Sequence, residues 1–251
     1  MSVYLKEFST HSEYDAYING SGAILPNVSI CTTEGDVHYN PYVDPYAGHD
    51  YVEIGGLKWA TMNVGANSIT DTGLYFQWGD ISGYTASQCG SGEGQKYFGW
   101  ADYKYGNGTS SPGATGMTKY NSSDGKTVLD AEDDAAVANW GGSWRMPTTA
   151  EYAALGAAVN RVWTNDYQGS GVKGLVCIDK TDSSKVLFFP ACGYSRNGGV
   201  SNVGGDGFYW SSSLYSSNVQ SAYSFYFFSG YVIWQEDRLR SYGFPVRGVV
   251  G

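Results

Sequence analysis

The chain has 251 residues, which suits one large domain with a small appendage and is long enough to bury a sizeable core. Its 35 glycines, 22 tyrosines and 16 % charged residues indicate a folded, loop-rich and strand-rich protein, not a disordered one. A formal net charge of −9 argues against a nucleic-acid partner, because phosphate contacts require clustered Lys and Arg.

Residues 1–45 are predicted to form a small separate unit. A capping-box pattern at Thr10 and Glu13 predicts a short helix near 11–18, and residues 27–39 predict a hairpin. A unit this small buries little surface alone, so we expect it to attach to another copy, a neighbouring protein or the main domain. We find no export signal and no membrane-length apolar run, so we expect synthesis in a cytoplasm and no membrane insertion.

The main domain is predicted to span 46–251 and to begin, after a proline-containing linker, with a hairpin turning at Gly55-Gly56. The long segment 79–125 is rich in Gly, Ser, Tyr and Asn and is expected to cover the core. Residues 130–138 predict a short helix with acids at its start. Glu132, Asp133 and Asp134 would fan around that helix, which favours capping and a solvated face over a calcium site.

Thr148 and Glu151 form a second capping box and predict a longer helix. Four apolar residues are expected to line one face of it as core: Tyr152, Leu155, Val159 and Val162. The apolar runs 173–178 and 186–190 flank a turn and predict another hairpin. The chain has four cysteines without CxxC spacing, which favours buried free thiols and leaves a Cys177–Cys192 bridge open.

The C-terminal stretch 207–248 interleaves two kinds of position. Residues 223–234 are mostly β-branched or aromatic and predict strands around a Ser229-Gly230 turn, with successive side chains on opposite faces. Trp210, Trp234 and the closing segment 243–247 have the character of a structural framework. Between the framework positions stand residues that share no single chemical role, and we take them as candidate ligand-binding positions: Tyr215, Val219, Gln220, Ser221, Ser224, Tyr226, Phe228, Tyr231, Ile233, Gln235, Asp237, Leu239 and Tyr242.

The spacing YWSSS…AYSFYF…SGYVIW…RSYGFPVRGV resembles the Fibrobacter succinogenes major paralogous domain, as do the opening WATMNVG and the central WRMPTTAEY. More narrowly, the C-terminal stretch resembles variable proteins of diversity-generating retroelements, in which adenine-directed mutagenesis rewrites scattered codons. The resemblance extends over about 50–251. It implies an α+β, C-type-lectin-like fold related to the formylglycine-generating enzymes, with short twisted antiparallel sheets, two helices and long loops.

The resemblance implies a binding protein without a catalytic site, metal or cofactor. We expect a receptor-binding protein of a Bacteroidetes phage tail, carried in the virion and recognising a bacterial surface protein or glycan. The N-terminal unit would bind other virion proteins or form a homotrimer. The alternative is a bacterial surface or secreted adhesion module of the same fold.

Two further interpretations stay open at this point. An enzyme of the formylglycine-generating type is disfavoured, because no cysteine pair stands in the C-terminal region and all three histidines precede residue 50. Alternatively, the aromatic residues of the second strand face are simply packed on the domain, and no binding surface exists.

The retroelement interpretation predicts a property of the neighbouring DNA. An imperfect repeat of codons 207–248 should lie near a reverse-transcriptase gene and encode Asn at most of the candidate positions. Adenine mutagenesis of the Asn codon AAC can yield Tyr, Ser, Asp, Val, Ile, Phe or Leu, but not Gln or Glu. Gln220, Gln235 and Glu236 would therefore need other codons. Sequencing the locus tests this, and a repeat identical to the gene at every candidate position would contradict it.

Overall fold

A computed structural model describes residues 46–251, which belong to one compact unit, Pro45–Gly251. The expected N-terminal helix and hairpin, Cys31 and the 1–45 unit lie outside the described residues. The helices of the described part are α1 (Ala135–Trp140) and α2 (Thr149–Ala158). The strands are β1 (Tyr51–Ile54), β2 (Leu57–Asn63), β3 (Val159–Thr164), β4 (Gly174–Asp179), β5 (Val186–Pro190), β6 (Tyr194–Ser195), β7 (Val200–Ser201), β8 (Asp206–Leu214), β9 (Ser221–Phe228), β10 (Tyr231–Leu239) and β11 (Arg247–Val250).

The strands form small antiparallel sheets, so the fold is α+β as expected. Their orders are β1-β2-β11, β3-β4-β5, β10-β9-β8 and the pair β6-β7. The hairpins predicted at β1-β2, β4-β5 and β9-β10 are confirmed. We call β10-β9-β8 the C-terminal sheet, and β9 is its central strand. No helix among residues 46–251 is long and apolar enough to cross a bilayer.

The core has two main parts, one on each side of the C-terminal sheet. In one part Tyr209, Phe225 and Phe227 pack with residues of β2, α2 and β5. In the other, Trp210 packs with the long segment 79–125, and its Nε1 donates to the Phe76 carbonyl at 2.8 Å. Alternation along β8 and β9 thus supplies apolar side chains to both parts.

The segment 79–125 covers the core, as predicted. It contains the short 3-10 turns Ala86–Gln88, Trp100–Asp102 and Ala114–Gly116, and its aromatic side chains Tyr103, Tyr105 and Tyr120 are buried. The Tyr103 hydroxyl donates to the Trp78 carbonyl at 2.8 Å. Such bonds satisfy polar groups that the loop would otherwise bury without partners.

The helix predicted from the second capping box is confirmed, but its predicted extent is wrong. Thr148 Oγ1 accepts from the Glu151 amide at 3.2 Å, and Tyr152 and Leu155 are buried. The helix ends at Ala158, and Val159 contributes to the core from β3. Val162 is 54 % exposed. The run Val159–Thr164 is rich in β-branched and aromatic residues, which favour strands. It pairs with β4, and this pairing determines its structure despite the helical spacing of its apolar residues.

Arg240 and Arg247 are fully buried, so neither guanidinium contributes positive charge to the surface. Arg247 donates to Asn63 Oδ1 and to the carbonyls of Ala60, Thr61 and Phe188, all within 2.9–3.0 Å. It therefore joins β11 to β2 and β5. A buried guanidinium is tolerated when its donors are satisfied in this way.

Arg240 connects the long segment 79–125 to the end of β10. It donates to Tyr103 Oη at 2.7 Å, and to the carbonyls of Val219 at 2.7 Å, Tyr120 at 3.0 Å and Lys119 at 3.0 Å. Its guanidinium lies 4.8 Å from the ring of Trp78. One side chain thus fixes the cover of the core to the C-terminal sheet.

Candidate binding face on the C-terminal sheet

The register of the C-terminal sheet brings aromatic side chains of three strands together on one face. Phe208 of β8 pairs with Tyr226 of β9, and Phe228 of β9 pairs with Tyr231 of β10. Phe228 and Tyr226 share a face because side chains on a strand repeat every two residues. We call Phe208, Tyr226, Phe228 and Tyr231 the aromatic strip.

Neighbouring rings of the aromatic strip are in contact along its length. The centroid distances are 4.4 Å for Phe208–Tyr226, 5.8 Å for Tyr226–Phe228 and 5.4 Å for Phe228–Tyr231. The strip is buried at Phe208 and exposed at the other end, where Phe228 is 37 % and Tyr231 51 % accessible. It therefore runs from the core to the surface.

The buried end of the strip is fixed in position. Phe208 stacks on Phe244 at 4.9 Å, and the Arg238 guanidinium lies 5.4 Å from the rings of both Phe208 and Tyr226. Arg238 also forms an ion pair with Glu236. Burial raises the pKa of the Tyr226 hydroxyl, which stays protonated and can donate a hydrogen bond.

A second group of side chains continues the strip at the Phe208 end. The Tyr194 ring meets Phe208 edge-on at 5.4 Å and stacks on Tyr242 at 6.4 Å. The Arg196 guanidinium lies 5.2 Å from the Tyr242 ring, and its Nη1 donates to the Tyr242 hydroxyl at 3.0 Å. Both tyrosines are half-buried and Arg196 is exposed.

The structure brings together only part of the predicted set. Ile233 is the cross-strand partner of Tyr226. The predicted positions on the strip or beside it are Tyr226, Phe228, Tyr231, Ile233 and Tyr242.

Five other predicted positions have different surroundings. Asp237 and Leu239 pair with Tyr223 and Ser221, whose side chains point to the opposite face from Tyr226. Gln235 Nε2 lies 3.3 Å from Thr149 Oγ1 at the start of α2. These five residues stay outside the strip: Tyr215, Gln220, Gln235, Asp237 and Leu239.

Val219, Ser221 and Ser224 are buried, which corrects their expected exposure. Val219 belongs to the core part beneath the long segment 79–125, and its carbonyl accepts from Arg240. The Ser224 hydroxyl donates to the Glu236 carbonyl at 3.1 Å, beside the irregular pairing of β9 with β10. A ligand cannot reach these side chains while the sheet is intact.

Sequence reasoning missed Phe208, Tyr194, Arg196 and Arg238 as members of this face. Phe208 was detectable, because alternation in β8 places it opposite the buried Tyr209. Arg196 follows the two-residue strand β6, and no local pattern relates it to Tyr242, which lies 46 residues away.

Helix capping, the role favoured for the acidic residues near α1, is confirmed for Asp134, but the other acids converge in an ion-pair cluster and do not fan around a helix. A 3-10 turn, Ala131–Asp133, precedes the helix, and Asp134 caps it by accepting from the Ala136 amide at 2.8 Å. Carboxylate oxygens of Asp130, Glu132 and Asp133 lie within 4.8 Å of one another. Lys119 Nζ contacts all three, at 2.8, 2.8 and 2.5 Å. Lys104 also pairs with Asp133 and Lys126 with Asp130, so three ammonium groups balance the three carboxylates.

The three cysteines of the described part, Cys89, Cys177 and Cys192, are free and buried, as the first of the two alternatives predicted. Burial raises the pKa of the Cys177 thiol to about 12 and also raises that of Cys192. Little thiolate therefore forms at neutral pH, and these thiols are poor nucleophiles and metal ligands.

A cleft of about 500 Å³ lies away from the aromatic strip. Its two charged side chains are already engaged, since Asp134 caps α1 and Arg145 forms an ion pair with Glu151 at 2.5 Å. The cleft is lined by Val128, Leu129, Ala131, Asp134, Val137, Gly142, Ser143, Trp144, Arg145, Met146, Thr148 and Ser212.

Comparison with known proteins identifies one similarity, and it covers the C-terminal part of the chain. Residues 178–249 match the model of a family described as a domain of unknown function, DUF8237. The matched segment contains the whole C-terminal sheet and the aromatic strip. No curated protein and no solved structure matches the chain.

The ion-pair cluster predicts a pH dependence of stability. Burial alone would raise the pKa of Asp133, but its bonds to Lys104, Lys119 and two tyrosines hold it well below the ordinary 3.8. Because the folded-state pKa is depressed, the stabilisation is fully present above pH 3.8 and is lost as pH falls further. Urea unfolding at pH 7 and pH 3 should show a smaller acid loss for Asp133→Asn than for the wild type.

Glu53→Gln, at an exposed position of β1, is the matched control and should keep the wild-type pH profile. An Asp133→Asn protein that is as stable as the wild type at pH 7, with the same acid loss, would show that the cluster contributes nothing.

Proposed function

We propose that this chain is a hypervariable ligand-binding protein, and specifically a phage tail receptor-binding protein that recognises a ligand on a bacterial surface. The observation that carries the proposal is the aromatic strip, which is anchored in the core at Phe208 and exposed at Phe228 and Tyr231. Rings exposed at a fixed position on a rigid sheet lose little entropy when they bind a partner.

The surroundings of the exposed rings support binding over packing. Tyr226 contacts Phe208 and Arg238, so the ring in the half-buried part of the strip already has packing partners within the domain. Phe228 and Tyr231 contact each other next to the exposed Ser229-Gly230 turn. Clustered exposed aromatic side chains on a folded protein commonly mark an interaction site.

The architecture is compatible with the C-type-lectin-like fold that the sequence resembles. Small antiparallel sheets, α1 and α2, and a long segment over the core all fit that expectation. In such a fold the C-terminal strands would provide a stable frame for a variable face. Phe225 and Phe227, which are buried, would belong to the frame, and Phe228 and Tyr231, which are exposed, to the variable face.

Partners and location follow from the same proposal. The protein would be made in the host cytoplasm and carried at the virion tail tip, with residues 1–45 binding a virion protein or forming a trimer. Several copies on one particle would raise avidity by orders of magnitude. We propose no nucleic-acid partner, since Arg240 and Arg247 are buried and the chain is acidic.

We also propose that the protein is not an enzyme. Supporting this, the buried thiols of Cys177 and Cys192 have raised pKa values, and Lys104 and Lys119 neutralise the buried Asp133 carboxylate. These groups are engaged in structure and are poorly placed for acid-base or nucleophilic chemistry.

Recognition and folding should be separable. We expect Phe228→Ser and Tyr231→Ser to change stability by less than about 1 kcal/mol, because both side chains are exposed. Trp210→Ala should cost about 3–5 kcal/mol through cavity formation. Tyr226→Ser should fall between them, since its ring is half-buried against Phe208. Thermal melts measure all four changes.

The same two surface variants should lose adsorption to a panel of bacterial strains that bind the wild type, because aromatic anchors carry most interface energy. Val162→Ser, an exposed apolar change on β3, is the control and should adsorb normally. If Phe228→Ser and Tyr231→Ser are as unstable as Trp210→Ala, the strip is core and the proposal fails.

A further inference from the structure

Arg196 is a cation held at one end of the candidate face. It follows β6, and its amide donates to the Gly199 carbonyl at 3.0 Å. Its guanidinium lies over the Tyr242 ring, and one Nη donates to that tyrosine's hydroxyl. These contacts engage one of the five N–H donors of the guanidinium, and the exposed side chain leaves the others accessible to a partner.

Arg196 differs in charge balance from the other arginine of this face. Arg238 is ion-paired with Glu236, whereas Arg196 has no carboxylate within 4.0 Å among residues 46–251. Arg196 is therefore an unneutralised cation on a protein whose net charge is −9. The chain's overall field repels anionic ligands, so attraction at this end of the face must come from this local charge.

The cation and the exposed rings belong to one continuous series of contacts. Arg196 lies on Tyr242, Tyr242 stacks on Tyr194, and Tyr194 meets Phe208. Phe208 begins the aromatic strip that ends at Tyr231. A partner lying along this series would meet the guanidinium at one end and apolar rings at the other.

We propose that the ligand of this face is a protein segment that presents an Asp or Glu side chain to Arg196 and an apolar side chain to Phe228 and Tyr231. The inference rests on the proposed binding function and names the partner's chemistry. Tyr, Phe and Arg on an open sheet face are the composition of protein-interface hot spots, whereas small ligands favour concave sites. The cleft of about 500 Å³ has no lining residue in this series.

The test is a selection from a library of random peptides of about twelve residues displayed on a carrier. The full chain, Arg196→Gln, Tyr231→Ser and Arg161→Gln are each immobilised and selected in parallel. Arg161 is an exposed arginine of β3, in another sheet, and is the matched control. Melting temperatures establish that all four proteins are folded.

The wild type and Arg161→Gln should enrich peptides that combine Asp or Glu with aromatic or aliphatic residues. Arg196→Gln should keep the apolar preference and lose the acidic one, and Tyr231→Ser should do the reverse. For single peptides, losing the charge-assisted bond to Arg196 should raise Kd by about tenfold to hundredfold.

Four results would overturn the proposal. Enrichment of basic peptides by the wild type would show that the negative net charge of the chain outweighs the local charge of Arg196. Unchanged acidic enrichment with Arg196→Gln would show that Arg196 plays no part, while leaving the proposed binding face intact. Tyr231-dependent binding to neutral saccharides on a glycan array, without peptide enrichment, would make the partner a glycan. If the selected peptides bind all four proteins equally, the face is not a binding site, and the proposed function fails with it.

Discussion

The structure depends on the central position of β9 in a sheet with core on both sides. Phe225 and Phe227 are fully buried on one face and pack with Tyr209 and Trp234. On the other face, Trp210 and Phe208 of the neighbouring strand meet the cover formed by residues 79–125 and Phe244. Because side chains alternate, shifting β9 by one residue would exchange these faces, so the register is strongly fixed. The end near Phe228 and Tyr231 extends beyond the cover.

Two buried guanidinium groups hold the elements around this sheet. Arg247 binds carbonyls of β2 and β5, and Arg240 binds carbonyls of residues 119, 120 and 219. Neither has a carboxylate within ion-pair distance in the described part of the chain, so each charge is stabilised by carbonyl dipoles and aromatic faces. These contacts do not involve Phe228 or Tyr231. A frame that is stabilised independently of its exposed rings can accept changes in those rings, as a variable binding face requires.

Much of the fold was predictable from local sequence patterns, because capping boxes, hairpin turns and strand alternation act over a few residues. The capping box at Thr148 and the β9-β10 turn are examples. Val162 was misassigned because helical and strand periodicities coincide over short apolar runs. Ser221 and Ser224 were taken as exposed because they stand between framework positions, but both are buried, and Ser224 lies between Trp210 of β8 and Glu236 of β10, a pairing that local sequence does not encode. Arg196 joins the face through Tyr242, a long-range contact that no local pattern encodes.

The central claim is that residues on one face of the β9-β10 hairpin are needed for folding, whereas residues on the other face serve recognition. Two libraries test it most directly, one randomising Phe228, Tyr231 and Ile233 and the other Phe225, Phe227 and Val232, with the folded fraction scored by resistance to proteolysis. The account predicts that most members of the first library fold, and that few members of the second do, because their positions face the core. Equal folded fractions in the two libraries would contradict it.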